Sequence, residues 1–170
     1  MRFYLSLLTV FVLVTSCYPT SISFKDNSMD PELKTFTVIN FEQSAPNAPV
    51  NYPISFTEFL KDGILGNTKL KLDQSGTSSA HLIFSGVVTD YSISPVSIQG
   101  DSQAALTRLT ISMRIEVENT LKPEKSFTVN PRRFADFDSN QDLNSVESQL
   151  LEDINQQILQ DILNKLQSDW

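Results

Sequence analysis

The chain has 170 residues, one cysteine, one histidine and a formal net charge of −7. An acidic balance with no long basic run argues against nucleic acid as a partner and leaves only local basic clusters for anionic lipid. One cysteine excludes an intramolecular disulfide, and one cysteine with one histidine cannot complete a tetrahedral nitrogen–sulfur zinc site, so stability must come from packing.

At the N-terminus Arg2 precedes an apolar stretch from Phe3 to Val14, and the run closes as Leu13-Val14-Thr15-Ser16-Cys17. A short cationic region, a hydrophobic core, small residues and then cysteine is the order of a bacterial lipoprotein signal. Cleavage between Ser16 and Cys17 and acylation of Cys17 are therefore expected. The competing readings are an uncleaved membrane span and an ordinary signal with an incidental thiol. A span needs about 20 apolar residues to cross about 30 Å of hydrocarbon, whereas this stretch has roughly a dozen, the length of a signal core. Each acyl methylene adds about 0.8 kcal/mol of membrane affinity, so a chain carrying two or three acyl groups stays attached. The expected organisation is a signal peptide over 1–16, a lipidated tether over 17–32 and one domain over 33–170.

The tether holds Pro19, Pro31 and many Ser, Asn and Asp residues without sustained periodicity. Lys34 to Phe41 is rich in β-branched and aromatic residues and predicts the first strand. A Pro/Asn loop, Ser44 to Pro53, leads to Ser55-Phe56-Thr57-Glu58, which has the form of a capping box. Phe56, Phe59, Leu60 and Ile64 follow at helical spacing, with Gly66 or Asn67 as the stop. Lys69 to Leu72 alternates as a strand and enters a Gly/Ser turn over Ser75–Ser79. Ala80 to Val96 predicts a longer strand whose apolar parity changes midway, with a bulge expected near Gly86. Val96 to Ala105 reads as a polar loop. The cleanest strand follows: Leu109, Ile111, Met113, Ile115 and Val117 alternate with Arg108, Thr110, Ser112, Arg114, Glu116 and Glu118. Such alternation marks a sheet with one buried and one wet face. Lys122-Pro123-Glu124 turns the chain, and Phe127 with Val129 begins a short strand. Val146, Leu150, Ile154, Ile158, Ile162 and Leu166 then recur every four residues in the longest helix, which Asp142 or Asn144 can cap. The pattern predicts an α+β fold, a mostly antiparallel sheet of about four strands with two helices packed on one face.

Catalytic chemistry has little support. His81 lies in a strand pattern beside Leu82 and Phe84, and no serine stands in a Gly-x-Ser-x-Gly elbow. The chain reads as a non-enzyme with no cofactor and no metal. Asp136, Asp138, Asn140, Asp142, Asn144 and Glu147 have EF-hand-like spacing, but Gln141 stands where that loop requires glycine. A polar turn with carboxylates near the positive end of the last helix is the plainer account. The basic residues worth attention are Arg108 and Arg114, on the wet face of the best strand, and the adjacent pair Arg132 and Arg133. Guanidinium groups bind phosphate in bidentate fashion. The plainer account of each is surface charge paired with Glu116, Glu118 or Asp136.

Several stretches carry a resemblance: LKTFTVINFEQSAPN, SFTEFLKDGILGNTKLKL, GVVTDYSISPVSIQGDSQAALTRLTISMRIEVENTLKPEKSF and RRFADFDSNQDLNSVESQLLEDI. Together with the lipobox at Cys17 they resemble a divergent branch of the LptE family of outer-membrane lipopolysaccharide-assembly lipoproteins. The most specific segments are Tyr91 to Val96, Ala104 to Thr110 and Arg133 to Asp138. The resemblance implies two helices on a sheet, which the periodicities give independently. It also implies a lipid-anchored plug on the periplasmic side of the outer membrane. The plug would sit in an LptD-like β-barrel, help it fold and assist insertion of lipopolysaccharide. Arg108, Arg114, Arg132 and Arg133 are then candidate contacts to lipopolysaccharide or to the partner. Tyr18 after the lipidated cysteine is not the aspartate associated with inner-membrane retention. The alternative is a periplasmic binding lipoprotein or an assembly chaperone for another envelope complex.

Overall fold

The computed structural model describes residues 29–75, 79–96 and 105–168. The expected signal peptide with Ser16 and Cys17, most of the tether, the centre of the Gly/Ser turn and residues 97–104 of the polar loop lie outside them. The elements run β1 (Thr35–Val38), β2 (Glu42–Gln43), α1 (Tyr52–Asn67), β3 (Lys71–Leu72), β4 (Leu82–Val96) and β5 (Leu106–Asn119). A 3-10 turn at Pro123–Lys125 leads to β6 (Phe127–Val129), β7 (Arg132–Asp138) and α2 (Leu143–Ser168). Among the described residues no helix is long and apolar enough to cross a membrane.

The expectation of about four mostly antiparallel strands needs correction. The sheet has seven strands and is mixed, in the order β3-β1-β4-β5-β6, with β2 also on β4 and β7 also on β5. β1 pairs in parallel with both β3 and β4, and β2 pairs in parallel with β4. The cause is connectivity: α1 carries the chain back to the starting end of the sheet before β3 begins, and a crossover of that kind returns strands in parallel. The remaining pairs, β4 with β5 and β5 with β6 and β7, are antiparallel.

The alternation in β5 holds: Leu109, Ile111, Met113, Ile115 and Val117 are all buried. Their cross-strand partners include Phe84, opposite Val117, and Val88, opposite Met113, so one face of the sheet is apolar. Phe56, Leu60 and Ile64 of α1 and Leu150, Ile154, Ile158, Ile162 and Leu166 of α2 belong to the same core. Each such side chain contributes about 1.5–3 kcal/mol when fully buried. Hydrogen bonds of two polar side chains, Tyr52 and Thr57, tie this core together. The Tyr52 hydroxyl donates to Asn155 Oδ1 across the helices at 2.8 Å, and Thr57 Oγ1 accepts the Phe41 N–H at 3.0 Å while donating to the Pro53 carbonyl.

Local details differ from the sequence reading. Helix α1 starts one turn before the Ser55–Glu58 box, with Asn51 at the N-cap and proline in its first turn. Proline is at home there because its missing N–H would have no helical partner. Glu58 instead pairs with Lys61. The register shift in β4 falls between Val88 and Asp90 rather than at Gly86. Gly86 is required for a different reason: a Cβ there would lie 2.6 Å from the Arg114 carbonyl oxygen and 2.6 Å from Phe41 Cε1. The segment from Arg132 to Asp138, to which the sequence pattern assigns no element up to the polar turn at Asp136, is a seven-residue strand. Its alternation is disguised because Phe134 faces outward while Ala135 and Phe137 face the helices.

Candidate functional site

The sheet face turned away from the helices is built by the even-numbered residues of β5 and their cross-strand partners. Moving along it, Ser85–Glu116–Thr128 give way to Val87–Arg114, Asp90–Ser112–Arg132, Ser92–Thr110–Phe134 and Ser94–Arg108–Asp136. Short hydroxyl side chains keep it low, and the arginines stand above them. Every position is set by the period-two geometry of the strands and by the bulge after Val88, which restores phase between β4 and β5.

Arg108 and Asp136 face each other across β5 and β7 and form a bidentate pair, Nε to Oδ1 at 2.7 Å and the terminal nitrogen to Oδ2 at 2.8 Å. The guanidinium carbon also sits 3.6 Å from the centre of the Phe134 ring. Planar stacking on one side and a forked bond on the other hold this side chain in a single orientation. The hydrogen bond from Arg108 keeps the Asp136 carboxyl below the usual carboxylate range, and raises Arg108 in return. Phe134 remains 45% exposed, so an aromatic edge is presented within an otherwise hydrophilic surface. Arg114 pairs with Glu116 at 2.9 Å on the same strand, with both side chains more than half exposed. An ion pair so exposed contributes little to stability.

The adjacent arginines part company. Arg132 lies on the outward face opposite Ser112, and among the described residues it has no ion pair. Arg133 points to the helix side, where it grips Asp161 of α2 through two hydrogen bonds, one of 2.7 Å from Nε. That bond raises the Arg133 pKa. Three of the four arginines therefore share one surface, and the fourth locks α2 to the edge strand. A shallow open depression lies between them, lined by Val129, Asn130, Pro131, Arg132, Arg133 and Asp161.

The carboxylates with EF-hand-like spacing do not converge. Asp136 is taken by Arg108, Asp138 Oδ1 accepts the Asn140 N–H, Asp142 accepts the Asn144 amide, and Glu147 accepts the Tyr91 hydroxyl. Among the described residues no group of three or more ligating side chains could hold a metal ion. Asp142 directly precedes α2, and its carbonyl accepts the Ser145 N–H at 3.0 Å. His81 does not face a cleft: its Nδ1 accepts the Lys34 N–H at 3.1 Å and so fastens the entry to β1. The sequence reading missed the clamp beside it, in which Lys122 Nζ binds both Asp30 and Glu32. The Lys122 hydrogen bond holds the Asp30 carboxyl below its ordinary range. Acidic residues in a polar segment followed, ninety residues on, by a lysine at a turn leave no local pattern to read.

The family model of LptE, lipopolysaccharide-assembly, matches residues 33–166. The chain belongs to the LptE family. Its work is therefore in lipopolysaccharide assembly, in a family whose members are not enzymes. No curated protein matches the sequence. Among solved structures the chain is similar to an uncharacterized lipoprotein B from Nitrosomonas europaea, with TM-score 0.54, 16% identity and coverage of 86% of this chain and 92% of that one. It is also similar to a putative neuraminyllactose-binding hemagglutinin homolog from Helicobacter pylori, with TM-score 0.55, 10% identity and coverage of 86% and 89%. At such identities the likeness is one of fold.

Proposed function

We propose that this protein is a non-catalytic lipoprotein subunit of the outer-membrane lipopolysaccharide translocon. It plugs an LptD-like β-barrel, supports folding of that barrel and assists insertion of lipopolysaccharide into the outer leaflet. The observation that carries this reading is the two-sidedness of the sheet: a face sealed by α1 and α2, and a second face of hydroxyls and arginines across β4, β5 and β7. The interior of a large outer-membrane barrel is polar. A hydrophilic sheet surface fits such a wall, whereas an apolar one would be driven to bury itself elsewhere. Acylation of Cys17, after cleavage behind Ser16, holds the domain on the periplasmic side of the outer membrane. Arg132 is the strongest of the candidate lipopolysaccharide contacts because Arg108, Arg114 and Arg133 already have carboxylate partners.

Extraction in mild detergent and capture of the tagged protein should recover a large β-barrel protein in about equal amount. Recovery of the lipoprotein alone, from cells whose surface lipopolysaccharide is normal after its depletion, would overturn the reading and favour a free-standing binding lipoprotein. Intact-mass measurement of the N-terminal peptide checks the anchor separately: an unmodified Cys17, or retained residues 1–16, refutes it.

A further inference from the structure

Six of the seven lysines of the domain, all but Lys61 inside α1, are gathered at one end. Lys34 opens β1, Lys69 and Lys71 flank the start of β3, Lys122 and Lys125 belong to the turn after β5, and Lys165 stands in the last turn of α2. Strand register brings these points together. Thr35 pairs with Lys71, Phe36 with Leu82, and Leu82 with Asn119, so the starts of β1, β3 and β4 and the finish of β5 share one end. Helix α2 begins at the other end, beyond the Leu106–Asp138 pair, and its 26 residues run back about 39 Å. Carboxylates are interspersed among the lysines: Lys122 holds both Asp30 and Glu32, and Asp73 keeps its charge while accepting the Ser75 N–H and the Ser79 hydroxyl. Glu118 and Glu124 complete that set. Lys34 and Lys71 are exposed and have no ion pair among the described residues. The far end carries Asp138, Asp142 and, a turn into α2, Glu147, besides Asp136 paired with Arg108. Six lysines against five carboxylates at this end, and one arginine against four carboxylates at the other, make the domain asymmetric in charge along its length.

The N-terminal chain enters at the lysine end. Met29 packs against the core, Leu33 is buried, and the Lys122 clamp fixes Asp30 and Glu32. Residues 18–28 separate this point from Cys17, a reach of no more than about 40 Å even fully extended. We propose that the lysine end is a docking surface for anionic phospholipid headgroups, which turns the domain end-on to the leaflet that anchors it. The inference rests on the acylation of Cys17 for its closeness to the bilayer. Each basic side chain at an anionic surface gains about fivefold in affinity, and the attraction fades within a Debye length of about 10 Å. The acidic far end is repelled by the same field, so orientation follows even though the whole chain is negative.

The test uses the full acylated chain in vesicles of phosphatidylcholine alone or with about one-third phosphatidylglycerol, at lipid excess. Acetylation rates of individual lysines are read by mass spectrometry. Labelling of Lys34 and Lys71 should slow by about three- to fivefold in the phosphatidylglycerol vesicles and recover in high salt. Lys61, paired with Glu58 on α1, should be unaffected by lipid composition. A double variant, Lys34→Gln with Lys71→Gln, should weaken the protection left at Lys125 while the circular dichroism spectrum stays the same. Equal rates in both vesicle types would overturn the proposal, as would slowing seen only when a β-barrel protein is added, which would assign this end to a protein partner. Cys17 in the same spectra separates the two readings: an unmodified Cys17 refutes the anchor on which the inference rests, whereas equal rates in chains with acylated Cys17 refute the docking alone.

Discussion

Gly86→Ala is a single-methyl test of how the sheet is packed. The added Cβ would meet the Arg114 carbonyl oxygen at 2.6 Å and Phe41 Cε1 at 2.6 Å, with Cζ at 3.1 Å. Alanine in an ordinary strand position gains about 0.5–1 kcal/mol over glycine through reduced freedom of the unfolded chain. Here that gain is outweighed, because the oxygen belongs to the paired strand and Phe41 is wedged against Phe56 with ring centres 5.0 Å apart. Overpacking of this kind costs about 1–3 kcal/mol, so a net loss near the middle of that range is expected. Gly66 supplies the control: nothing lies within 4 Å of a Cβ built there, in the last turn of α1. Gly66→Ala should stabilise by about 0.5–1 kcal/mol. Urea unfolding followed by far-ultraviolet circular dichroism gives both values from the shift in midpoint at constant slope. Phe41→Leu in the Gly86→Ala background should restore only part of the loss, since the backbone contact remains. If Gly86→Ala matched or exceeded the parent in stability, the close approach of β5 and Phe41 to β4 would be refuted.

Further substitutions probe the core and its polar bonds. Ile154→Asp places a carboxylate in a fully buried site on α2 and should leave the domain unfolded, since an unpaired buried charge costs several kcal/mol. A normal circular dichroism spectrum would contradict that burial. Tyr52→Phe strands the Asn155 carbonyl oxygen inside the helix interface and should lose about 1–3 kcal/mol by chemical denaturation, with Asn155→Leu on top recovering part of it. The pH dependence follows from Asp136, whose carboxyl is lowered by Arg108. Its stabilising contribution is fully present above the ordinary carboxylate value of 3.8 and is lost as pH falls through the lower folded value. Asp136→Asn should therefore lower stability at neutral pH and flatten the acid limb of the curve, as read from denaturation midpoints between those extremes.

Much of the architecture was legible because burial follows period. The odd residues of β5 and the four-residue repeat of α2 each define one apolar face, and a face of that kind has one stable solution, against another like it. The sheet's parallel half was not legible, because β2 and β3 are two residues long and nothing in a two-residue segment announces its neighbour. β7 was hidden for a chemical reason: Phe134 lies on the wet face to support Arg108, which breaks the alternation that would have revealed it.

The candidate site divides in the same way. That Arg108 and Arg114 share a face was settled by counting along one strand, since an even separation returns the side chain to the same side. That Arg108 is held by Asp136 and Phe134, that Arg133 grips Asp161, and that Lys122 gathers Asp30 and Glu32 were decided only when distant segments came together. Local periodicity dictates which way a side chain faces, but partners for a charge are chosen by the register of strands far apart in the chain. Register is a property of the whole packed sheet, and no window of sequence contains it.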